Sequence, residues 1–375
     1  MNKIKRLITV FIPLQKCNLK CEYCYITQLD AWNEPEKPRY SAQHIAKCFS
    51  NKRLGGTCLI NFTADGETLL QPDLHEIVEE VLKEGHYVEV VTNGVITKQL
   101  EKFLAIDKEL LPRLEFKISF HYKELLRLNL MDRFFENVQM IKDAGASFTL
   151  ELMAYDDIEK DVDTIRRLCV DRAGACCHAT IGRDEKTIKR TLLTDHTQEE
   201  FREIWKPLES DMMDVKFELL DVKRKEFCYA GCWSLYINMY TGETEPCYWV
   251  PANQNIFEDP DKPIKFNPVG YMCPSPYCIN GHAHLTLGLI PELKLPTYND
   301  IRNRECKGER NWLTPEGEEF YSSHLYETNR EYSRPKKIFY TISEPFRLVK
   351  WLIMDPKTKK RARNLFNRYI KKKKN

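Results

Sequence analysis

Short β-branched runs alternate with helical hydrophobic patterns through the first half of this 375-residue chain. The predicted strands span residues 7–11, 59–63, 87–91, 115–120, 148–153 and 178–181, and apolar residues at helical spacing follow each of the first five. Such alternation builds a parallel sheet, either doubly wound or curled into an open or closed barrel. In both arrangements functional residues collect at the carboxyl ends of the strands.

The formal charge of +2 hides an uneven distribution along the chain. The nineteen residues after Pro356 hold ten Lys or Arg and no acid, so the preceding body carries 47 basic against 55 acidic residues. This mildly acidic body has no general nucleic-acid signature.

The basic tail has a pattern of its own. One helical face would carry Leu365, Phe366, Tyr369 and Ile370, and the flanking basic residues are Arg361, Arg363, Arg368 and Lys371 to Lys374. Such a helix is typical of a segment lying on an anionic membrane surface. Solvated disorder is an open alternative, and nucleic acid ranks third.

The fourteen cysteines are clustered rather than evenly spread. The start MNKIKRLITVFIPLQKC imitates a signal peptide, but its apolar run is short, contains Pro13 and lacks a small-residue cleavage site, so we predict a first strand. No run approaches the roughly 18 apolar residues that a membrane span needs. We therefore expect a cytoplasmic protein with reduced thiols, in which clustered cysteines indicate metal before disulfide.

Distinctive residues follow the first four predicted strands. CNLKCEYCY, with Cys17, Cys21 and Cys24, follows the first; ADGE at 64–67 follows the second; TNG at 92–94 follows the third; and Ser119 ends the fourth. Three thiolates within eight residues can ligate three irons of a cubane cluster, which leaves one iron open. Zinc is the alternative, but zinc motifs usually pair two C-x2-C elements, and no second pair exists in this chain.

These motifs, in this order, make residues 5–185 resemble the radical SAM superfamily. The resemblance implies a partial (β/α)6 TIM-like barrel, followed here by a small cysteine-rich α+β extension. It also implies that S-adenosylmethionine binds the open iron of a [4Fe-4S] cluster, and that one-electron reduction yields a 5'-deoxyadenosyl radical. That radical abstracts hydrogen from unactivated C–H bonds.

The resemblance assigns roles to individual residues. Cys17, Cys21 and Cys24 match the cluster ligands and act as the catalytic set, and Tyr23 matches the aromatic residue near the adenine. Asp65, Gly66 and Glu67 fall on the family's Gly-Gly-Glu element, which holds the methionine amino group, although Asp65 replaces its first glycine. Gly66 still permits close backbone approach, and Glu67 still offers an acceptor for an ammonium group.

Three further positions remain open in role. Ser119 matches a position that contacts the ribose or the carboxylate, and Asn93 lies on the cofactor side of the third strand, but either residue could equally cap a turn. Glu151 is either a polar contact or an outward-facing strand residue. The family's glycine-rich element near strand five is not evident in LELMAYDD.

A second set of cysteines lies between residues 228 and 306. SLYINMYTGETEPCYW predicts a hairpin with its turn at Thr241-Gly242, which would bring Cys232 and Cys247 to one end. This spacing resembles the opening of SPASM and twitch extensions, but the rest departs from the full SPASM pattern. We expect one auxiliary [4Fe-4S] cluster held by Cys232, Cys247, Cys273 and Cys278, with Cys228 and Cys306 as replacements.

Other assignments in this part of the chain stay open. A structural zinc is the alternative to the auxiliary cluster. His282 and His284 could be ligands, substrate contacts or solvated polar residues. We assign the five remaining cysteines to packing, as small hydrophobic residues: Cys48, Cys58, Cys169, Cys176 and Cys177.

The sequence thus predicts four parts: a radical SAM core barrel at 1–190, a bridge at 191–227, a SPASM/twitch-like region at 228–335 and a basic tail at 336–375. We expect a flavodoxin- or ferredoxin-type reductant and a peptide or small-molecule substrate. Modification of a peptide or protein side chain ranks ahead of oxidation or epimerisation of a sugar-like molecule in cell-surface polysaccharide synthesis. A structural metal-cluster protein that binds nucleic acid through the tail is the alternative of another class. The location is cytoplasmic, with peripheral membrane contact through the tail.

Overall fold

The computed structural model describes residues 3–34, 36–183, 191–248, 250–278 and 284–343. Its centre is a nine-stranded sheet in the order β6-β5-β4-β3-β2-β1-β7-β8-β9. The strands are β1 (Leu7–Ile12), β2 (Leu59–Ala64), β3 (Tyr87–Thr92), β4 (Leu114–Phe120), β5 (Ser147–Ala154), β6 (His178–Ile181), β7 (Ser234–Asn238), β8 (Glu243–Glu245) and β9 (Gln254–Asn255).

The first six strands are parallel, and each pairs with its neighbour in sequence. This sequential order is that of a (β/α) barrel rather than a doubly wound sheet, in which the strand order reverses at a switch point. In the described residues β6 pairs only with β5, so the sheet stays open. The six predicted strands and the partial-barrel class are confirmed.

Helices connect the parallel strands. They are α1 (Tyr25–Leu29), α2 (Ala42–Cys48), α3 (Asn51–Leu54), α4 (Leu74–Lys83), α5 (Thr97–Leu104), α6 (Tyr122–Arg127), α7 (Met131–Ala144) and α8 (Val162–Ala173). Short 3-10 helices occur at Thr68–Leu70, Leu111–Arg113, Asp156–Asp161, Lys206–Leu208 and Pro291–Leu293. The buried residues of α4 recur at helical spacing, as the sequence pattern predicts.

The two faces of the parallel sheet differ in chemistry. One face belongs to the main hydrophobic core beneath the helices, with residues such as Val10, Phe62, Val90, Phe116 and Leu150. The other face carries a row of buried polar residues at matched register: Thr9, Asn61, Glu89 and Glu115. A polar row on a parallel sheet marks the inside of a barrel, because both faces of a doubly wound sheet are packed against helices and are apolar.

The later part of the chain joins the same sheet. Strand β7 pairs in parallel with β1, and β8 returns antiparallel to β7, so the predicted hairpin with its turn at Thr241 and Gly242 is present. Between β6 and β7 lie α9 (Gln198–Trp205) and α10 (Asp211–Leu219).

Three helices follow the sheet: α11 (Tyr298–Arg302), α12 (Pro315–Tyr321) and α13 (Leu325–Thr328), and residues 334–343 are also helical. They cover the amino ends of the barrel strands, where Phe320 stacks on Tyr87 at 3.8 Å between ring centroids. Among the described residues, no helix is long and apolar enough to cross a membrane.

Candidate active site

The loop after β1 carries the first cysteine group. Cys21 is buried, and Cys17 and Cys24 are half-buried. The Leu19 N–H points at Cys17 Sγ from 3.4 Å, and Cys24 lies at the start of α1. Electrostatic coupling of Cys21 to both Cys17 and Cys24 shows that the three thiols face one region.

Burial disfavours free thiolates at this loop. It raises the pKa of Cys17 to about 12 and raises the pKa of Cys21 and of Cys24, although N–H groups of Ile26 and Thr27 partly oppose the rise at Cys24. Three clustered thiols that would stay protonated alone become thiolates when a metal supplies the positive charge. With N–H donors already directed at two of the sulfurs, the group fits an iron–sulfur cluster.

The thiol spacing bears on the choice between zinc and a cluster. Tetrahedral zinc with bonds of about 2.3 Å holds its sulfurs about 3.8 Å apart. Among the described residues, one group of three metal-capable side chains has ligand atoms that all lie within 4.8 Å of one another: Asp156, Glu159 and His196. This group includes no cysteine. Within the described part of the chain, neither cysteine group brings three ligand atoms within 4.8 Å of one another.

The loop after β2 is locked against the cysteine loop. The Gly66 N–H donates to the Leu14 carbonyl at 2.7 Å, and the Glu67 N–H donates to the Lys16 carbonyl at 2.9 Å. A Cβ at Gly66 would lie 2.1 Å from the Lys16 carbonyl oxygen, so only glycine fits this approach.

Glu67 is buried, and its carboxylate already has three donors. It accepts from Thr92 Oγ1 at 2.6 Å, the Asn93 N–H at 2.7 Å and the Leu69 N–H at 3.0 Å. It thereby joins the loops after β2 and β3. Asp65 is more accessible, is coupled to Cys24, and accepts from Tyr25 and Gln15.

Asn93 holds the cysteine loop from the end of β3. Its side-chain amide donates to Asn18 Oδ1 at 2.8 Å and lies 3.7 Å from Cys17 Sγ. Its Oδ1 accepts from the Val95 N–H at 3.2 Å, so it also caps the turn. Asn93 therefore caps the turn, as one of the two alternatives predicts, and also contacts the cysteine loop.

Sequence reasoning missed the residues that follow β4 and β5. The Tyr23 hydroxyl lies 2.5 Å from His121 Nδ1, and its ring meets Tyr155 edge-on at 5.1 Å. Burial lowers the pKa of His121 to about 4, so this imidazole is neutral. Glu124 accepts from the Lys20 N–H at 2.8 Å. His121 and Tyr155 directly follow β4 and β5, as Asn93 follows β3, and that position was the available signal.

Ser119 and Glu151 are register partners on the inner face of the sheet. Ser119 is half-buried near the carboxyl end of β4. Glu151 does not face outward: its carboxylate lies 3.2 Å from Arg302, 3.3 Å from Lys216 and 3.8 Å from Lys117.

Comparison with known proteins agrees with this arrangement. Residues 11–169 match the model of the radical SAM superfamily. This chain contains a radical SAM domain. The family implies a [4Fe-4S] cluster and S-adenosylmethionine, for which the loop with Cys17, Cys21 and Cys24 provides the fitting donor set.

Individual relatives are distant or partial. A 7-carboxy-7-deazaguanine synthase of Aquifex aeolicus is 35% identical over 108 residues, which is 26% of this chain and 42% of that protein. Streptococcus suis SuiB bound to S-adenosylmethionine aligns with a TM-score of 0.49 and 13% identity, over 69% of this chain and 64% of SuiB. The structure of anSMEcpe with bound AdoMet aligns with a TM-score of 0.45 and 15% identity, over 68% and 79% of the two chains.

Beyond the radical SAM domain, a second group of four cysteines assembles. Burial raises the pKa of Cys228 well above its usual range, and Cys247, Cys278 and Cys273 add to the rise. The neighbourhood of Cys228 is thus shared by the other three thiols. Residues 228 and 270 pair through their backbones, and Lys223 donates to the Cys273 carbonyl.

Cys232 and Cys306 make further contacts with the body of the protein. Cys232 Sγ is 3.4 Å from the Phe266 carbonyl and 3.1 Å from the Tyr332 hydroxyl. Cys306 Sγ is 3.8 Å from the Ala173 carbonyl at the end of α8. Cys228, which the sequence offers as a replacement ligand, therefore lies near three members of the expected set, Cys247, Cys273 and Cys278.

The remaining predicted positions divide into three cases. His282 lies outside the described residues. His284 is buried and stacks on Tyr248 with ring centroids 5.5 Å apart, so it is not solvated. The five cysteines assigned to packing are all buried: Cys48, Cys58, Cys169, Cys176 and Cys177.

Proposed function

We propose that the chain is an enzyme that binds a [4Fe-4S] cluster through Cys17, Cys21 and Cys24, cleaves S-adenosylmethionine reductively and abstracts hydrogen from a substrate. When bound, the cluster and S-adenosylmethionine supply a 5'-deoxyadenosyl radical. The observation that carries the proposal is the convergence of one buried and two half-buried thiols with Asp65, Gly66 and Asn93 at the carboxyl edge of the sheet.

The protein's own residues position and shield these groups. Gly66 and Glu67 fix the cysteine loop through the backbone, and Asn93 holds it from the other side. Asp65 is the better acceptor for the methionine ammonium, because the Glu67 carboxylate is buried and already has three donors. Tyr23, His121 and Tyr155 form an aromatic wall that excludes water on the adenine side.

The second cysteine group would hold one auxiliary [4Fe-4S] cluster. In this proposal the ligands are Cys228, Cys247, Cys273 and Cys278. Tyr248 follows Cys247 directly and lines a cavity inside the barrel, so the auxiliary group borders the space where a substrate would lie. A cluster there can accept or donate an electron or anchor the substrate.

The resemblance to SPASM and twitch enzymes favours a peptide or protein side chain as substrate. Radical oxidation or epimerisation of a sugar-like molecule is the second candidate. In either case a flavodoxin- or ferredoxin-type protein would supply the electron.

Product analysis tests the chemistry. Reconstituted protein with dithionite should convert S-adenosylmethionine to 5'-deoxyadenosine and methionine, detected by liquid chromatography and mass spectrometry. Cys21→Ala should abolish product, whereas Cys306→Ala, a buried cysteine outside both groups, should retain it. Absence of 5'-deoxyadenosine from iron-replete wild-type protein would refute the proposal and favour a structural metal protein.

A peripheral membrane location is a further part of the proposal. The helical segment 334–343 exposes Ile338, Phe339 and Ile342, with 48%, 65% and 63% of their surfaces accessible. Its other side packs on the body, where Tyr340 stacks on Tyr332 at 5.3 Å. Residues 344–375, which include the helical pattern at 365–370, lie outside the described residues. An exposed apolar face followed by excess positive charge suits an anionic bilayer surface.

A further inference from the structure

A cavity of about 180 Å³ lies inside the barrel, between strands β1 to β4 and the later part of the chain. Its polar lining comes mainly from Thr9, Asn61, Glu89, Lys117, Tyr248 and His284. The cavity reaches Thr63, which directly precedes the loop with Asp65 on β2. A group held here would therefore lie below the first cysteine group and beside the second.

Lys117 shares the carboxylate of Glu151 with two other cations, and its charge also acts on Glu115, two residues away on β4. The carboxylate of Glu151 forms ion pairs with Arg302, Lys216 and Lys117. The contact with Lys117 is the longest of the three, at 3.8 Å. Lys117 lines the cavity, whereas Glu151 does not. Buried cations need a counter-charge, because the protein interior solvates them poorly.

The other acid of the cavity, Glu89, makes no ion pair with Lys117 among the described residues. Glu89 accepts hydrogen bonds from Asn61 and from Tyr298, which engage both of its carboxylate oxygens. In the described residues Lys117 has one ion-pair partner, the shared Glu151.

His284 faces the same space as Lys117. It is buried against Tyr248, and burial together with the charge of Lys117 lowers its pKa to about 4. A neutral imidazole carries one N–H donor, and an anion beside it would favour protonation of the second nitrogen. Lys117 and His284 thus offer complementary donors to one anionic group.

We propose that Lys117 and His284 form a subsite that binds an anionic group of the substrate, a carboxylate or a phosphate. The inference rests on the proposed function and adds a substrate class to it: an acidic peptide side chain or a small organic acid. The subsite would orient the substrate, while the reacting C–H bond lies toward the cysteine edge of the barrel.

Ligand-induced stabilisation tests the subsite without any turnover. At constant ionic strength, replacing chloride with acetate or inorganic phosphate should raise the melting temperature of the reconstituted full-length protein. Lys117→Met should lose this rise, whereas Lys83→Met, an exposed lysine on α4, should keep it. An equal rise in the Lys117→Met protein, or none in wild type, would overturn the subsite.

A second measurement uses wild-type protein, so it tests the subsite even if Lys117→Met fails to fold. In wild-type protein labelled at histidine, acetate should shift the ring resonances of His284, assigned with His284→Asn, by nuclear magnetic resonance. Unchanged His284 resonances at saturating acetate contradict the inference. The peptides Ala-Glu-Ala and Ala-Gln-Ala, compared with succinate, distinguish a peptide source from a small acid. Because 5'-deoxyadenosine formation is measured separately, failure of the subsite and failure of the proposed function give different results.

Discussion

At the scale of single residues, the auxiliary ligand set depends on where one thiol lies. Cys228 and Cys232 are four residues apart, and Cys228 interacts electrostatically with Cys247, Cys273 and Cys278. Cys232 contacts Phe266 and Tyr332. Spacing alone could not separate these two candidates, because the turn between them decides which sulfur faces the group.

Iron content distinguishes the two cysteines. Reconstituted Cys228→Ala should fall from roughly eight irons per chain to about four, since a closed cluster needs four protein ligands. Under the proposed assignment, Cys232→Ala should keep roughly eight, because its thiol contacts the Phe266 carbonyl and the Tyr332 hydroxyl and is not a ligand. Iron and acid-labile sulfide analysis measures both proteins, and loss in Cys232→Ala with retention in Cys228→Ala would reverse the assignment.

At the scale of elements, neighbouring strands place two carboxyl groups in register. Glu89 on β3 pairs with Glu115 on β4 inside the barrel. Burial, and then repulsion from Glu89, raise the pKa of Glu115 to about 7. Thr149 donates to its Oε1, and the side chain of Tyr321 also contacts it. The charged form of Glu115 is therefore poorly supported by the fold.

The stability of a Glu115→Gln variant should differ from wild type in a pH-dependent way. The folded pKa of about 7 is above the ordinary value of 4.5, so the folded state holds a proton that the unfolded state has lost. The contribution of Glu115 to the free energy of unfolding of the wild type therefore rises as the pH falls from above 7 toward 4.5. Between pH 8 and pH 6 the gain is about 1 kcal/mol.

The Glu115→Gln variant lacks this titration, so its advantage over wild type should be largest at pH 8 and shrink by pH 6. Urea unfolding at the two pH values measures the difference. Thr149→Val is a control, since it removes a hydrogen bond to Glu115 but retains the titrating carboxyl group. A constant difference between Glu115→Gln and wild type would contradict the raised pKa.

Elements from distant parts of the chain complete the barrel interior. Arg302 and Tyr298 on α11 contact Glu151 and Glu89, and β7 covers the edge of β1. The radical SAM domain thus depends on residues after 228 for its buried charges and for one sheet edge. The division at residue 190 stays a prediction from the sequence pattern.

At the scale of the whole molecule, periodic features were predictable and irregular ones were not. The strands follow from hydrophobic runs, and the cysteine loop from its close spacing after the first strand. Pairing of β7 with β1 depends on contacts between residues more than 220 positions apart, as with Leu7 and Ser234. The Lys117 and His284 pair likewise joins a strand to an irregular segment, where no local pattern indicates proximity.

The last prediction concerns membrane binding by the exposed apolar face at 338–342 and the basic tail that follows it. The full-length protein should sediment with vesicles containing phosphatidylglycerol but not with phosphatidylcholine alone, because the bilayer attraction combines apolar burial with the charge of the tail. Binding should weaken as salt rises, since mobile ions screen the surface charge. Truncation after residue 343 should abolish it.

Single substitutions separate the apolar contribution from the charge. Phe339→Ser should weaken vesicle binding about tenfold, in line with the roughly 1.5–3 kcal/mol of burying a phenyl side chain. Val170→Ser, an exposed apolar residue on α8, should bind like wild type. If Phe339→Ser binds like Val170→Ser, the helical face at 338–342 does not enter the bilayer. The electrostatic contribution of the tail to vesicle binding would be excluded if the protein sedimented with neutral vesicles or if its binding did not depend on salt. The tail would then be a solvated extension of the enzyme.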